Sequence, residues 1–198
     1  AKTHNIETVF ITNAQLLTPT RVKSIISSKV DRISVSMESG KPRSYESVRL
    51  GAKYDRLKEN LKLLTSEIKK RNSSANLAIN VVLLPHNLKD LTHIYKIIDL
   101  AHECNVPEIT FQNSNDIAFY GTKNYFYKNK RQLIEKLDAI KHAAEKQGIK
   151  VYLPSVDIKR GSCYYPWIYP QITTSGELLP CCLIPQFADY DEMLKKYS

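Results

Sequence analysis

The sequence predicts an α/β fold: a partial parallel (βα) barrel over residues 1–155, followed over residues 156–198 by a small β-hairpin cysteine domain. Three observations predict it. Short apolar runs alternate with stretches of helical period, the pattern of βαβ units joined by right-handed crossovers. The alternation breaks near Pro154. Beyond the break lie Cys163, Cys181 and Cys182, three of the four cysteines, around a turn signal at Ser175-Gly176.

The elements follow in order. Residues 8–12 (TVFIT) read as a buried strand. Thr18 and Pro19 then supply an N-cap and a first helical position, and Val22, Ile25 and Ile26 an apolar face. Residues 32–37 (RISVSM) alternate with period two, as a strand does. A polar loop leads to a helix over 54–71, where Leu57, Leu61, Leu64 and Ile68 fall on one stripe. Residues 77–84 (LAINVVLL) are nearly all apolar, which suits a parallel strand covered on both faces, and Pro85 ends it. A helix over 90–103 turns Leu91, Ile94, Ile98 and Ala101 inward, and 108–112 (EITFQ) is the next strand. A tyrosine-rich loop at 119–127 precedes a helix over 130–147 carrying Leu133, Leu137, Ile140 and Ala144, with Gly148 as its C-cap. A short strand at 150–153 follows, and then a hairpin with strands at 167–174 and 177–179. The first strand has a bare apolar edge at Val9 and Ile11, and such an edge is expected to be covered by something upstream.

Composition narrows the function classes. The 198 residues carry a net charge of +9, but lysines such as Lys58, Lys62, Lys69 and Lys70 are spread along helical segments, so a solvated surface is preferred to an RNA-binding patch. No run is long and apolar enough for a membrane span and no signal peptide opens the chain, so the expectation is a cytoplasmic protein that contacts neither membrane nor nucleic acid. Clustered cysteines in such a chain serve metals more often than disulfides. From the residues alone, a metal site at Cys163 and Cys181 stands level with buried, unreacted thiols. Cys104 closes a helix and reads as core. His4, His86, His93, His102 and His142 share no metal-ligand spacing and read as surface or helix residues. The aromatic loop with Tyr120 could line a cleft or simply pack.

The stretch 163–182, CYYPWIYPQITTSGELLPCC, has twelve residues between Cys163 and Gly176 and four between Gly176 and Cys181. It resembles the entry to the SPASM or Twitch domain of radical S-adenosylmethionine (radical SAM) enzymes. The segment 6–153 resembles the same superfamily. Its motifs are Ile11-Thr12-Asn13-Ala14 with Leu16-Leu17-Thr18, where the family usually has Gly for Ala14, and Ile33 to Met37 with Glu38 and Gly40, where Ser39 is a departure. They continue with the Tyr45 to Arg49 step, Asn80-Val81-Val82-Leu83, and Ile109-Thr110-Phe111-Gln112.

The resemblance implies the second half of a TIM-like barrel with its ligand site at the carboxyl ends of the strands. It places Asn13 and Ser36 near the methionine or ribose part of S-adenosyl-L-methionine, Arg49 at the methionine carboxylate, and Leu83 or Leu84 beside the adenine. Read without it, Asn13 is a turn residue, Ser36 a small packing residue and Arg49 a surface charge. It also implies that Cys163 and Cys181 ligate an auxiliary 4Fe-4S cluster, with Cys182 as a further ligand or a buried neighbour. The CxxxCxxC motif of the family occurs nowhere in these residues. It is expected upstream, in a missing N-terminal half of the barrel, and this stretch alone is expected to be inactive. The activity implied is formation of a 5′-deoxyadenosyl radical that abstracts hydrogen from a peptide or small-molecule substrate, with a reducing partner such as flavodoxin or ferredoxin. A βα scaffold module with a zinc site and a radical SAM RNA-modifying enzyme are the competing readings.

Overall fold

Parallel pairing runs through the first four-fifths of the chain. In a computed structural model, which describes residues 2–4, 6–113, 130–156, 171–172, 176 and 178–179, five strands form one sheet in the order β1-β2-β3-β4-β5. They are β1 (Val9–Thr12), β2 (Arg32–Ser36), β3 (Asn76–Leu83), β4 (Glu108–Asn113) and β5 (Lys150–Tyr152). Every neighbouring pair is parallel. Sequence order and spatial order coincide, so right-handed crossovers put the described helices that link the strands on the same face.

The helices are α1 (Pro19–Ser27), α2 (Pro42–Val48), α3 (Tyr54–Lys70), α4 (Pro85–Lys89), α5 (Thr92–Glu103) and α6 (Lys130–Lys146). Thr18 caps α1 as expected, its side chain accepting from the Arg21 N–H, with Pro19 in the first turn. Two helices were not anticipated. The polar loop after β2 contains α2, and Pro85 both ends β3 and begins α4. The following helix starts at Thr92 rather than residue 90, because the Asp90 carboxylate accepts from the Thr92 N–H at 3.0 Å and its hydroxyl at 2.6 Å.

Alternation within the strands separates two faces. Ile33, Val35, Leu77, Ile79, Val81, Leu83, Ile109 and Phe111 join one core cluster with Leu57, Leu61 and Leu64 of α3, Ile94, Ile97 and Ile98 of α5, and Leu137 and Ile140 of α6. Cys104 is fully buried there as a free thiol, its pKa pushed up chiefly by burial. The opposite face is polar. Arg32 of β2 pairs with Glu108 of β4 and donates to the Thr110 hydroxyl at 3.0 Å, Asn76 of β3 donates to Glu108 at 3.0 Å, and Asn80 donates to Gln112 at 3.4 Å. One side of β3 packs in the core, and its second face carries the hydrogen-bonded side chains of Asn76 and Asn80.

The chain divides into two compact units, Ala1–Val156 and Asp157–Ser198. In the second, β6 (Gln171–Ile172) pairs antiparallel with β7 (Leu178–Leu179), and Gly176 takes the positive φ of 87° that a tight turn asks of a residue without a Cβ. Cys163, Cys181, Cys182 and Tyr120 lie outside the described residues.

Candidate functional site at the carboxyl edge of the sheet

The carboxyl ends of β1, β2 and β3 carry Asn13, Ser36 and Leu83. β1 ends in a turn that Asn13 closes, its side-chain oxygen accepting from the Gln15 N–H at 3.1 Å. The next residue, Ala14, is fully buried with φ of 59°, a left-handed conformation that L side chains avoid. Glycine is the residue that takes this conformation without strain. The turn is held by the Ala14 N–H donating to the Thr12 hydroxyl at 3.0 Å, and by Asn60 of α3, whose amide donates to the Ala14 carbonyl at 2.6 Å.

Ser36 is half-buried, in register with Asn80 of β3. Among the described residues its hydroxyl makes no hydrogen bond, while the Asn80 side-chain oxygen is buried without a partner. The strand then runs through buried Met37 into Glu38. Arg49, at the end of α2, is no free surface charge. Its Nε donates to Glu38 Oε2 at 2.5 Å and its Nη2 pairs with the other carboxylate oxygen, a two-point contact. That hydrogen bond raises the Arg49 pKa against the opposing effect of burial, so the guanidinium stays charged. Tyr45, one helical turn before Arg49, is fully buried and packs edge-on to Tyr54 with centroids 6.0 Å apart. Its hydroxyl accepts from Gln15 at 3.3 Å. Gln15 in turn donates to the Lys53 carbonyl at 3.1 Å and accepts from its N–H at 2.8 Å, tying the β1 turn to the start of α3.

The arrangement brings Ser36, Glu38 and Arg49 to the end of one strand and Asn13 to the end of its neighbour. Leu83 is different. Its side chain is fully buried in the core cluster on the helix face and has no surface to offer a ligand; Leu84, the next residue, is half-buried. Gln15, Glu38 and Asn60 are the site's supports that sequence reasoning missed or did not place. The signal available in advance was only their residue type beside a motif. Among the described residues no three His, Cys, Asp or Glu side chains come together as a metal site.

The first half of this architecture is a known one. Residues 1–98 match the model described as the radical SAM superfamily. Members of that superfamily use a 4Fe-4S cluster and S-adenosylmethionine. Among solved structures, the chain is similar to Streptococcus suis SuiB bound to the precursor peptide SuiA, at 17% identity and a TM-score of 0.65, over 93% of this chain and 44% of that one. SuiB bound to S-adenosylmethionine matches with a TM-score of 0.64, again at 17% identity and over 93% and 44% of the two chains. The chain thus spans less than half the length of these structures. No curated protein matches it.

The donor types at the carboxyl edge fit the superfamily's nucleotide. S-adenosylmethionine presents a carboxylate, an ammonium group and a ribose diol. Arg49 keeps guanidinium N–H groups that Glu38 does not use, and among the described residues the Ser36 hydroxyl makes no hydrogen bond.

Proposed function

We propose that this chain forms part of the S-adenosylmethionine-binding wall of a radical SAM enzyme that modifies a peptide. The supporting observation is the grouping of Ser36, Glu38 and Arg49 at the carboxyl edge of a parallel sheet, within the segment that matches the superfamily. In this reading Arg49, steadied by Glu38, meets the methionine carboxylate, and Ser36 and Asn13 face the ribose or methionine part. Leu83 would contribute through its backbone, with the Leu84 side chain beside the adenine. When bound, the cofactor pair supplies hydrogen-atom abstraction. The chain's own residues orient the nucleotide and keep the guanidinium charged. A peptide substrate is favoured because the similar SuiB was solved with a precursor peptide. A cytoplasmic setting goes with this reading, as among the described residues no helix is long and apolar enough to cross a membrane.

Cys163, Cys181 and Cys182 are assigned to an auxiliary 4Fe-4S cluster at the feet of the terminal hairpin. The residues 1–155 and 156–198 then correspond to the partial barrel and the start of a SPASM or Twitch domain, and flavodoxin or ferredoxin is the kind of reductant required.

Two measurements test the proposal. Titration of the full-length protein with S-adenosylmethionine should give saturable binding that Arg49→Ala weakens at least about tenfold, as expected for loss of a charge-assisted contact. Equal affinity in the two proteins would remove Arg49 from the site. Anaerobic iron and sulfide analysis should find iron that Cys163→Ala and Cys181→Ala lower; zinc in its place would point to a structural zinc site instead.

A further inference from the structure

The loop after β2 is fastened to the segment that opens α5. The Glu38 carbonyl accepts from the amide of fully buried Asn87 at 3.2 Å. Ser39 Oγ lies 2.7 Å from His93 Nδ1, the Gly40 N–H donates to the His93 carbonyl at 2.9 Å, and Lys41 Nζ pairs with Asp90 Oδ2 at 2.6 Å. Gly40 has no room for a side chain, because a Cβ there would fall on the backbone of Lys96 and Ile97. Four polar contacts and one close approach therefore hold a five-residue stretch, and that stretch includes Glu38, the partner of Arg49.

The hydrogen-bond roles follow from the surroundings. Ser39 Oγ accepts from the Lys41 N–H at 3.0 Å. His93 Nε2 faces the Asp90 carboxylate at 3.7 Å. A proton on Nε2 suits that carboxylate and leaves Nδ1 to accept from the Ser39 hydroxyl. A Ser-His-Asp trio also describes a nucleophile and its base. Ser39, however, has no exposed surface, so no substrate can reach its oxygen. The trio serves as a fastening.

We propose that Ser39 and His93 are positioning residues: they clamp the loop 37–41 so that Glu38 holds the Arg49 guanidinium in place for the methionine carboxylate of S-adenosylmethionine. This rests on the reading of Arg49 given above. Four groups surround the imidazole: Ser39 and Lys41 from the loop, Asp90 before α5, and His86 of α4, which stands edge-on at 5.5 Å. Burial, Lys41 and His86 disfavour its protonation, while Asp90 opposes them. The neutral ring keeps the lone pair that the Ser39 hydroxyl needs.

The test compares Ser39→Ala, His93→Gln and His93→Asn in the full-length protein. Imidazole nitrogen NMR without any cofactor should find His93 Nδ1 unprotonated at neutral pH. Calorimetric titration with S-adenosylmethionine should find binding weakened about two- to tenfold in Ser39→Ala and His93→Gln, the range expected for one hydrogen bond. His93→Asn, whose side chain can reach the place of Nδ1, should stay within about twofold of the wild type, and kcat at saturating cofactor should be unchanged. Ser39→Ala removes only a hydroxyl, so it carries the comparison if a His93 variant does not fold. Folded variants that bind as tightly as the wild type would overturn the positioning role and leave the nucleotide site standing. A proton on Nδ1 would overturn the clamp itself. A wild-type protein that binds no S-adenosylmethionine would overturn the functional reading, and this inference with it.

Discussion

Asn60 of α3 donates its side-chain amide to the backbone carbonyl of Ala14 across 2.6 Å, with both residues buried. The bond joins the helix layer to the turn that ends β1. Asn60→Leu would leave that carbonyl without a partner and should cost about 1–3 kcal/mol in urea unfolding. Ala14→Gly should act the other way. It relieves a left-handed alanine at the loss of one buried methyl, for a net gain of up to about 1 kcal/mol.

Two glycines separate close approach from backbone conformation. Gly40→Ala would drive a methyl into the backbone of α5 and should destabilise by about 3 kcal/mol or more, or prevent folding. Gly51 has φ of 80° but open space around it, so Gly51→Ala should cost only the conformational penalty of about 1 kcal/mol. Similar losses at both positions in thermal melts would contradict the crowding at Gly40.

The Arg32–Glu108 pair lies on the polar face, with Glu108 buried and Arg32 partly exposed. Arg32→Met leaves a buried carboxylate with Asn76 as its remaining hydrogen-bond donor among the described residues and should destabilise by about 2–3 kcal/mol. Pairing it with Glu108→Leu should recover most of that loss. A double variant as unstable as the sum of its parts would show that the pair is not the coupling unit.

Burial is the main cause that holds both His86 and His93 below their ordinary value of 6.5. The folded protein thus binds fewer protons than the unfolded chain at these sites. Their contribution is complete above pH 6.5 and is lost as the pH falls below it toward the depressed folded values. The urea midpoint should fall between about pH 7 and pH 5, and a His86→Asn, His93→Asn double variant should show a shallower fall. An equal slope in both proteins would assign the acid sensitivity elsewhere.

The long elements were legible because each buries a stripe. Leu57, Leu61 and Leu64 mark α3, and Leu133, Leu137 and Ile140 mark α6, without help from the rest of the chain. α2 and α4 were not, being short and carrying too few apolar residues for a period to register. At the site, motif order pointed to Asn13, Ser36 and Arg49. The Glu38 clasp on Arg49 and the reach of Asn60 to Ala14 depend on residues 11 and 46 positions apart, whose approach only the folded chain reveals. In a strand of mostly apolar residues such as β3, composition does not say which face a side chain like that of Leu83 takes. Cys163, Cys181 and Cys182 lie outside the described residues, so that part of the reading rests on the resemblance.

Glu108 links three strands at once, taking Arg32 from β2 and Asn76 from β3 while belonging to β4. Backbone ladders repeat and tolerate slippage; a shared carboxylate does not. Sliding any of these strands by one residue would turn its member of the trio toward the apolar helices. The side chains on this face therefore act as an alignment key for the sheet, so each strand tip must stop at a set height, and with it whatever groups the tips present.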